Sequence, residues 1–237
     1  MDGTGPVRIS ACLQPDVDCP SSPIEQEQLV TEIRAICFDA FGTLVEITDK
    51  RRPFQTLLRD EVQGKAATEV LTTALDLRGL VRILAHGSEA DRLSQLENDL
   101  LAECASVRLR PGIDDIWLAL RQTGLKIGVC SNLALPYGPT LLSKLPDPPD
   151  AVVLSYQVGL IKPDPAIFWL VCDWLHLRPA QILFVGDTQS SDVDGPRSIG
   201  MPAMLISEFE NHLTDRTTAF GYLPAELVTA IRDQARR

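Results

Sequence analysis

Paired cysteines are absent from this sequence. Its six cysteines are far apart and form no Cys-x-x-Cys motif; they lie at positions 12, 19, 37, 104, 130 and 172. Without such pairs, neither a zinc site nor a framework of disulfide bonds is predicted. Cys37 and Cys130 fall inside apolar runs, where a thiol behaves as a small hydrophobic side chain. We therefore expect a reducing compartment, the cytoplasm.

Positive charge and long apolar runs are also scarce. The chain has 22 Lys and Arg against 32 Asp and Glu, which gives a formal net charge of -10 and a pI of about 4.8. Such a chain is repelled by nucleic-acid backbones and by anionic membrane surfaces, so neither is an expected partner. No run approaches the roughly 18 apolar residues of a spanning helix. The first ten residues, MDGTGPVRIS, lack the apolar core of a secretory signal.

The length and composition indicate a globular protein. With 237 residues, the chain can form one large domain, or one domain with a smaller insertion. Its content of 45% hydrophobic and 23% charged residues is typical of soluble globular proteins. Residues 1–30 are rich in Pro, Asp, Ser and Gln and show little periodicity. We predict that they form an irregular N-terminal extension.

Short apolar runs recur from about residue 31 onward. They have the length of β-strands and are AICF (35–38), KIGVC (126–130), AVVL (151–154), ILFV (182–185) and PAMLI (202–206). Continuous apolar runs are typical of parallel strands that are covered on both faces. Helical patterns alternate with these runs. The predicted fold is therefore α/β, a Rossmann-like doubly wound parallel sheet of about five strands.

Two of the helical patterns have clear ends. Gly124 is predicted to end the helix in GIDDIWLALRQTG, and Asp164 is predicted to cap the start of the helix in DPAIFWLVCDWLHL. Three tryptophans lie at helical spacings among Leu and Ile. We expect all three, Trp117, Trp169 and Trp174, to lie in the core.

The segment 47–108 interrupts the alternation. It contains helical patterns, one of them with a predicted capping box at Ser88 and Asp91, and no run that we predict as a strand. We predict an all-helical cap inserted between the first and second strands of the sheet. Residues 31–46 and 109–237 would then form the α/β core.

Polar residues follow several of the predicted strands. In open parallel sheets, ligands bind outside the carboxyl ends of the strands, so these side chains are expected to converge. They are Asp39 after the first strand, Ser131 and Asn132 after the second, Asp187 and then Asp192 after the fourth, and Lys162 in the loop VGLIKPDP. This combination can attack and hold a phosphoryl group around a hard cation. Each residue alone also fits an ordinary structural role, such as capping a turn, so the prediction depends on the set.

Four short motifs give the chain a family resemblance. In order they are DAFGT (39–43), SN (131–132), Lys162 followed by PDP, and GDTQSSD (186–192). With these motifs the chain resembles the haloacid dehalogenase-like superfamily of hydrolases over roughly residues 33–207. The predicted helical insertion also lies where that family carries a substrate-covering cap.

The resemblance implies a role for each motif residue. Asp39 would be the nucleophile and would form a covalent aspartyl intermediate. Thr43, Ser131 and the backbone at Asn132 would bind phosphoryl oxygens. Lys162 would offset the negative charge shared by Asp39 and the substrate.

The same resemblance implies a Mg²⁺ site. Asp39 and Asp187 would bind the ion, and Asp192 would support it directly or through its waters. In this family the residue two positions after the nucleophile contributes its backbone carbonyl to the ion. Here that residue is Phe41.

Phe41 also leaves the chemistry open. Phosphatases of this superfamily generally have a second aspartate there, which protonates the leaving group and then activates water. The metal-free 2-haloacid dehalogenases carry an aromatic residue instead. However, dehalogenases generally have a small neutral residue in place of Asp187, and they tend to have a tyrosine where this chain has Phe168.

We therefore predict a Mg²⁺-dependent phosphohydrolase that acts through an aspartyl-phosphate on a small phosphorylated metabolite. A metal-independent 2-haloacid dehalogenase and a catalytically weakened ligand-binding or regulatory protein remain alternatives. The substrate is expected to be a small anionic molecule. Candidates for holding it are Arg51, Arg52, Arg59 and Arg78, although a solvated surface position is ordinary for each. The sequence predicts no oligomeric state.

Overall fold

A computed structural model of the chain describes residues 32–58, 65–84 and 90–214. The predicted N-terminal extension (1–30), Arg59 and the capping box that starts at Ser88 lie outside the described residues. No helix within the described ranges is both long enough and apolar enough to cross a membrane.

Five parallel strands form the central sheet. They are β1 (Ala35–Phe38), β4 (Lys126–Ser131), β5 (Ala151–Leu154), β6 (Ile182–Gly186) and β7 (Ala203–Leu205). Their spatial order is β5-β4-β1-β6-β7, so the first strand lies in the middle. In the register of the sheet, Phe38 lies beside Val129 on one side and Val185 on the other. The predicted five-stranded α/β sheet is confirmed.

Each central strand is buried on both faces. In β1, Ile36 and Phe38 pack into one apolar layer, whereas Ala35 and Cys37 pack into the layer on the opposite face. All four side chains are fully buried. The absence of polar residues from β1 follows from this double burial, because every position of the strand faces one core or the other.

Ten α-helices occur in the described residues. They are α1 (Pro53–Leu58), α2 (Lys65–Thr72), α3 (Leu77–Leu84), α4 (Ala90–Ala105), α5 (Ile113–Gln122), α6 (Tyr137–Leu142), α7 (Ser155–Val158), α8 (Pro165–Leu175), α9 (Gly195–Arg197) and α10 (Ile206–Thr214). A 3-10 turn covers Pro179–Gln181 and a π-helical turn covers Gln189–Asp194. The predicted cap of α8 is confirmed, since Ala166 N–H donates to Asp164 Oδ1 over 2.9 Å. Gly124 follows the end of α5 with φ of 74°, as its predicted role requires.

The expectation that all three tryptophans are core residues was wrong for two of them. Trp117 is 1% exposed, but Trp169 and Trp174 are 48% and 44% exposed. On α8 the buried stripe is Ile167, Phe168, Val171, Cys172 and Leu175. The two exposed tryptophans lie on either side of that stripe, because each residue advances about 100° around a helix.

Four helices, α1 to α4, lie in the segment predicted as a cap. Their apolar side chains form a cluster of their own, which includes Leu77, Leu80 and Leu96 together with Ala134 from the core. The prediction that this segment contains no strand was wrong. Two three-residue strands, β2 (Val45–Ile47) and β3 (Val107–Leu109), pair antiparallel at its two ends. Strands this short are too brief to show a periodicity of two, and the pairing joins residues far apart in sequence.

Candidate active site

The predicted site residues meet at one edge of the central sheet. Asp39 directly follows β1, Ser131 ends β4, and Asp187 directly follows β6. Because β1 lies between β4 and β6 and all three run parallel, their carboxyl ends are adjacent. The convergence expected from the sequence is therefore present at the strand ends.

Lys162 lies between two carboxylates. Its Nζ donates to Asp39 Oδ1 and to Asp192 Oδ1, each over 2.7 Å. The lysine and Asp192 side chains are 2% exposed and the Asp39 side chain is 10% exposed. The ammonium also lies 5.1 Å from the centre of the Phe184 ring. A buried charge of this kind is tolerated only with partners that neutralise it and accept its hydrogen bonds.

Asn132 holds the backbone of Lys162. Its Oδ1 accepts a hydrogen bond from Lys162 N–H, and its Nδ2 donates to the Lys162 carbonyl, both over 2.8 Å. This pair of bonds joins the end of β4 to the loop before α8. The Asn132 side chain is therefore occupied in positioning the lysine, which the sequence did not predict.

Three carboxylates lie close enough to share one cation. Asp39, Asp187 and Asp192 each offer an oxygen atom, and these atoms all lie within 4.8 Å of one another. Asp192 is fixed by Thr188 N–H, which donates to its Oδ2 over 2.9 Å. Carboxylate oxygens are the ligands that Mg²⁺ prefers in proteins. The oxygen donors and their spacing fit a hard divalent cation.

Two glycines make room for these carboxylates. Gly42 has φ of 90°, and a Cβ atom built there would overlap the Asp187 carboxylate. A Cβ atom at Gly186 would likewise overlap the Asp192 side chain. Glycine at position 42 is thus required twice, for its backbone conformation and for the close approach of Asp187.

The charges of the cluster do not balance. Two of the three carboxylates, Asp39 and Asp192, pair with the one ammonium, and Asp187 lies beside them; the sum is two negative charges, the amount that one Mg²⁺ ion would neutralise. Burial raises the pKa of Asp39, and the attraction of Lys162 opposes this rise only in part. The pKa of Lys162 is raised: its burial acts to lower it, but Asp39 and the other negative neighbours outweigh the burial. Lys162 therefore stays protonated at neutral pH.

The two predicted hydroxyl donors are both buried. Thr43 is fully buried and its Oγ1 has no hydrogen-bond partner in the described part of the chain. Ser131 is 2% exposed. A buried hydroxyl without a partner costs about 1–3 kcal/mol, so Thr43 is a group that would gain from a ligand oxygen.

Phe41 contributes to an aromatic pocket beside the segment that was predicted as a cap. Its ring meets Tyr137 edge-on, with centroids 5.6 Å apart, and Tyr137 in turn lies 5.7 Å from the Phe54 ring. The cavity has a volume of about 280 Å³, and eight of its twelve lining residues are apolar or aromatic. Asn132 is one of the four polar lining residues, which places the cavity beside the motif residues.

A buried glutamate supports this aromatic pocket. Glu103 is 3% exposed. Its Oε2 accepts from the Tyr137 hydroxyl over 2.6 Å, and its Oε1 accepts from Arg52 N–H over 3.3 Å. Neither Tyr137 nor Glu103 was predicted from the sequence as a site residue. They are 34 residues apart and belong to no motif, so only the tertiary fold relates them.

The structure separates the candidate arginines. Arg51 forms ion pairs with Asp49 and Asp99, and Arg78 pairs with Glu97, all on the exposed surface of the cap segment. Arg52 lines the aromatic pocket. Of the three candidate arginines in the described residues, Arg52 is the one that lines this pocket.

Similar proteins of known activity include phosphatases and a dehalogenase. The chain is 26% identical to an N-acetylmuramic acid 6-phosphate phosphatase from Pseudomonas aeruginosa over 80% of this chain and 88% of that protein. It is 30% identical to a phosphoglycolate phosphatase from Rhodospirillum rubrum, over 73% of this chain and 79% of that protein. It is 23% identical to an (S)-2-haloacid dehalogenase from a Pseudomonas species, over 74% of this chain and 85% of that protein.

A solved structure shares the fold. A HAD family enzyme from Bacteroides thetaiotaomicron, determined in complex with magnesium and inorganic phosphate, superposes with a TM-score of 0.53. The match covers 73% of this chain and 93% of that one, at 18% sequence identity. At this identity the likeness bears on the fold alone.

Family membership rests on a match over most of the chain. Residues 33–200, which include four of the five central strands and all four motifs, match the haloacid dehalogenase-like hydrolase family. The matched span includes every predicted site residue. The chain is an enzyme of the hydrolase class, and its relatives favour a phosphatase over a dehalogenase. It belongs to the haloacid dehalogenase-like hydrolases.

Proposed function

We propose that this chain is a Mg²⁺-dependent phosphohydrolase that acts on a small phosphorylated metabolite through an aspartyl-phosphate on Asp39. The observation that carries the proposal is the group formed by Asp39, Asp187 and Asp192, in which Lys162 pairs with Asp39 and Asp192 and two negative charges stay uncompensated. A metal-free enzyme would have no use for Asp187 in that position. There, its charge would disfavour an ionised Asp39.

The reaction has two displacement steps at phosphorus. In the first, a carboxylate oxygen of Asp39 forms a bond to phosphorus, and the ester P–O bond breaks with its electron pair on the leaving oxygen. In the second, water attacks phosphorus, the bond to Asp39 breaks, and inorganic phosphate is released. Lys162 donates to Asp39 Oδ1, and in this proposal the other oxygen, Oδ2, attacks phosphorus.

The phosphoryl oxygens would be bound by groups around Asp39. Thr43 has a buried hydroxyl without a partner in the described residues, and Ser131 lies at the end of the neighbouring strand. The backbone N–H of Leu133 is already donated to Ser155 Oγ over 3.0 Å, which fixes the turn that follows Asn132. In this proposal, Lys162 balances part of the charge that Asp39 and the phosphoryl group bring together.

Mg²⁺ would be held by Asp39, Asp187, Asp192 and the Phe41 carbonyl. When bound, it would neutralise charge on the phosphoryl oxygens and on the carboxylates. Support for the fit comes from the oxygen donor set and from Gly42, whose missing side chain admits the Asp187 carboxylate next to the Phe41–Gly42 peptide.

A 2-haloacid dehalogenase is the second candidate, favoured by one observation. Phe41 cannot serve as a general acid, and it lines an aromatic pocket rather than the carboxylate cluster. In that reaction a halide leaves without protonation, so an acid would not be needed. A weakened ligand-binding protein is the third candidate and would bind phosphate without turnover.

The deciding experiment is a parallel assay of phosphoesters and short 2-haloacids, each with Mg²⁺ and with EDTA. The proposed function predicts phosphate release that requires Mg²⁺ and no halide release. Halide release in EDTA would establish the dehalogenase instead. Binding of inorganic phosphate in the presence of Mg²⁺ without turnover of any substrate would indicate the third candidate.

A further inference from the structure

The aromatic pocket shows which kind of leaving group this site can accept. We propose that the substrate is an aryl phosphate, whose flat apolar ring enters the pocket while its phosphoryl group lies at Asp39. The inference rests on the proposed phosphohydrolase activity and specifies its substrate class. Four features carry it: the ring geometry of the walls, the small number of free polar groups in the interior, the volume of the cavity, and the missing acid at position 41.

The walls are arranged as an aromatic cluster with Tyr137 at its centre. The Phe41 and Tyr137 ring planes are inclined by 73°, and the Phe54 and Tyr137 planes by 59°. Rings prefer such edge-to-face contacts, and an additional ring would find the same kind of partners here. Phe41 comes from the core and Phe54 from the cap, so a bound ring would contact both.

The interior of the pocket offers few polar atoms to a ligand. The Tyr137 hydroxyl is already donated to Glu103, whose other oxygen is occupied by the Arg52 backbone. The Asn132 side chain is occupied by the backbone of Lys162. The remaining polar side chains of the lining, Arg52 and Gln55, are exposed. A sugar entering the interior would lose hydrogen bonds to water without replacement.

The volume is suitable for one ring. A cavity of about 150 Å³ holds a benzene-sized molecule, and this pocket measures about 280 Å³. The space therefore accommodates a single substituted ring better than a disaccharide or a nucleoside. Arg52 also adds a positive charge to the lining, which favours a leaving group that departs as an anion.

The absence of an acidic side chain at position 41 also favours an aryl phosphate. When Asp39 attacks phosphorus, the ester P–O bond breaks and its electron pair stays on the leaving oxygen. A phenol has a pKa of about 10, whereas an alkoxide is about as basic as hydroxide, for which the pKa of water is about 15.7. A phenolate can therefore depart unprotonated and take its proton from water afterwards. Phe41 suits a leaving group of this kind.

The test compares three substrates in Mg²⁺. Phenyl phosphate has both the ring and the good leaving group, cyclohexyl phosphate has a similar size but a poor leaving group, and acetyl phosphate has a good leaving group without a ring. We expect kcat/KM for phenyl phosphate to exceed that for cyclohexyl phosphate by about 100-fold or more, the lower end of a general-acid effect.

Variants of the pocket then isolate the ring contact. Phe54→Ala should lower kcat/KM for phenyl phosphate by about five- to tenfold and lower that for acetyl phosphate, which has no ring, by a smaller factor. Phe54→Leu keeps most of the apolar volume and should lose less, which keeps the test valid if the alanine variant is unstable. Trp174→Ala, which removes an exposed aromatic side chain that does not line the pocket, should change kcat/KM for neither substrate.

The outcomes separate this inference from the proposed function. Hydrolysis of acetyl phosphate together with an equal or better rate on glucose 6-phosphate than on phenyl phosphate would overturn the aryl substrate and leave the phosphohydrolase standing. An equal loss on acetyl and phenyl phosphate in both Phe54 variants would also overturn it. Failure to hydrolyse any phosphoester would overturn both.

Discussion

Phe41 is the residue at which this chain differs most from the phosphatases that it resembles, which generally have a second aspartate at this position. It lies two positions after Asp39, and its ring packs on Tyr137 in the aromatic pocket. The side chain has no proton to exchange, yet its carbonyl adjoins Gly42, which contacts Asp187. Metal binding and acid-base chemistry can therefore be separated at this single position.

Replacing Phe41 by aspartate should add the missing acid. We expect Phe41→Asp to raise kcat on alkyl phosphates by about tenfold or more, because alkoxide leaving groups need protonation. The gain on nitrophenyl phosphate should be small. Phosphate release from the two substrates at saturating Mg²⁺ measures the effect.

Phe41→Asn is the matched control for this substitution. It removes the same ring, and asparagine has the same shape as aspartate, but its amide cannot donate a proton to the leaving group. An equal change in both variants would assign the effect to the lost ring rather than to the acid. If a folded, Mg²⁺-binding Phe41→Asp protein gained nothing on any alkyl phosphate, the phosphohydrolase proposal would be weakened.

Asp39 is the second residue with a decisive substitution. Asp39→Asn should abolish hydrolysis, because the amide cannot form the covalent intermediate. The amide oxygen can still accept the hydrogen bond from Lys162, so the fold should survive. Circular dichroism and the activity assay together test this, and a variant that keeps most of its activity would remove Asp39 from the mechanism.

At the scale of elements, the loop after β1 determines how closely the Asp187 carboxylate can approach Asp39. Gly42 accepts a left-handed conformation there and admits Asp187 from the loop after β6. Gly124 has a similar φ of 74°, but a Cβ atom there would meet nothing within 4 Å. Gly42 and Gly124 thus share the backbone conformation, but a side chain of another loop closely approaches Gly42 and none approaches Gly124.

This pair gives a test of the carboxylate spacing. Gly42→Ala should abolish Mg²⁺-dependent activity, because the new methyl group displaces Asp187. Gly124→Ala should cost about 1 kcal/mol of stability from its positive φ and keep the Mg²⁺ response. Urea unfolding and Mg²⁺ titration of activity measure the two effects. A Gly42→Ala enzyme with a normal Mg²⁺ titration would show that Asp187 is not needed for the ion.

At the scale of the whole molecule, ion binding and folding should be coupled. An ion that binds only the folded state stabilises it, by about 2.7 kcal/mol at one hundred times its dissociation constant. We expect added Mg²⁺ to raise the melting temperature of the wild-type protein. Asp187→Ala should remove that rise, and differential scanning calorimetry with and without Mg²⁺ measures it.

In the absence of Mg²⁺, the stability of Asp187→Ala relative to the wild-type protein gives a second test. Asp187 is exposed and adds negative charge beside Asp39 and Asp192. Its removal should leave the metal-free protein equally stable or more stable, since repulsion is relieved. A destabilised metal-free Asp187→Ala protein would instead indicate a structural role for this side chain.

The sequence alone determined the sheet and the motif residues. Continuous apolar runs such as 35–38 and 182–185 are typical of strands buried on both faces, and the polar residues that follow them were expected to meet at one edge. These features are local in sequence, so they can be recognised without the tertiary structure. The order of the strands then brought Asp39 between the ends of its two neighbours.

The tertiary structure decided what surrounds those residues. The contacts of Tyr137 with Phe41, Phe54 and Glu103 join segments 34 to 96 positions apart, and no local pattern encodes them. The pairing of β2 with β3 and the exposure of Trp169 were likewise settled by packing rather than by propensity. A strand or helix is specified by its own residues, whereas a pocket depends on which distant side chains the completed fold brings together.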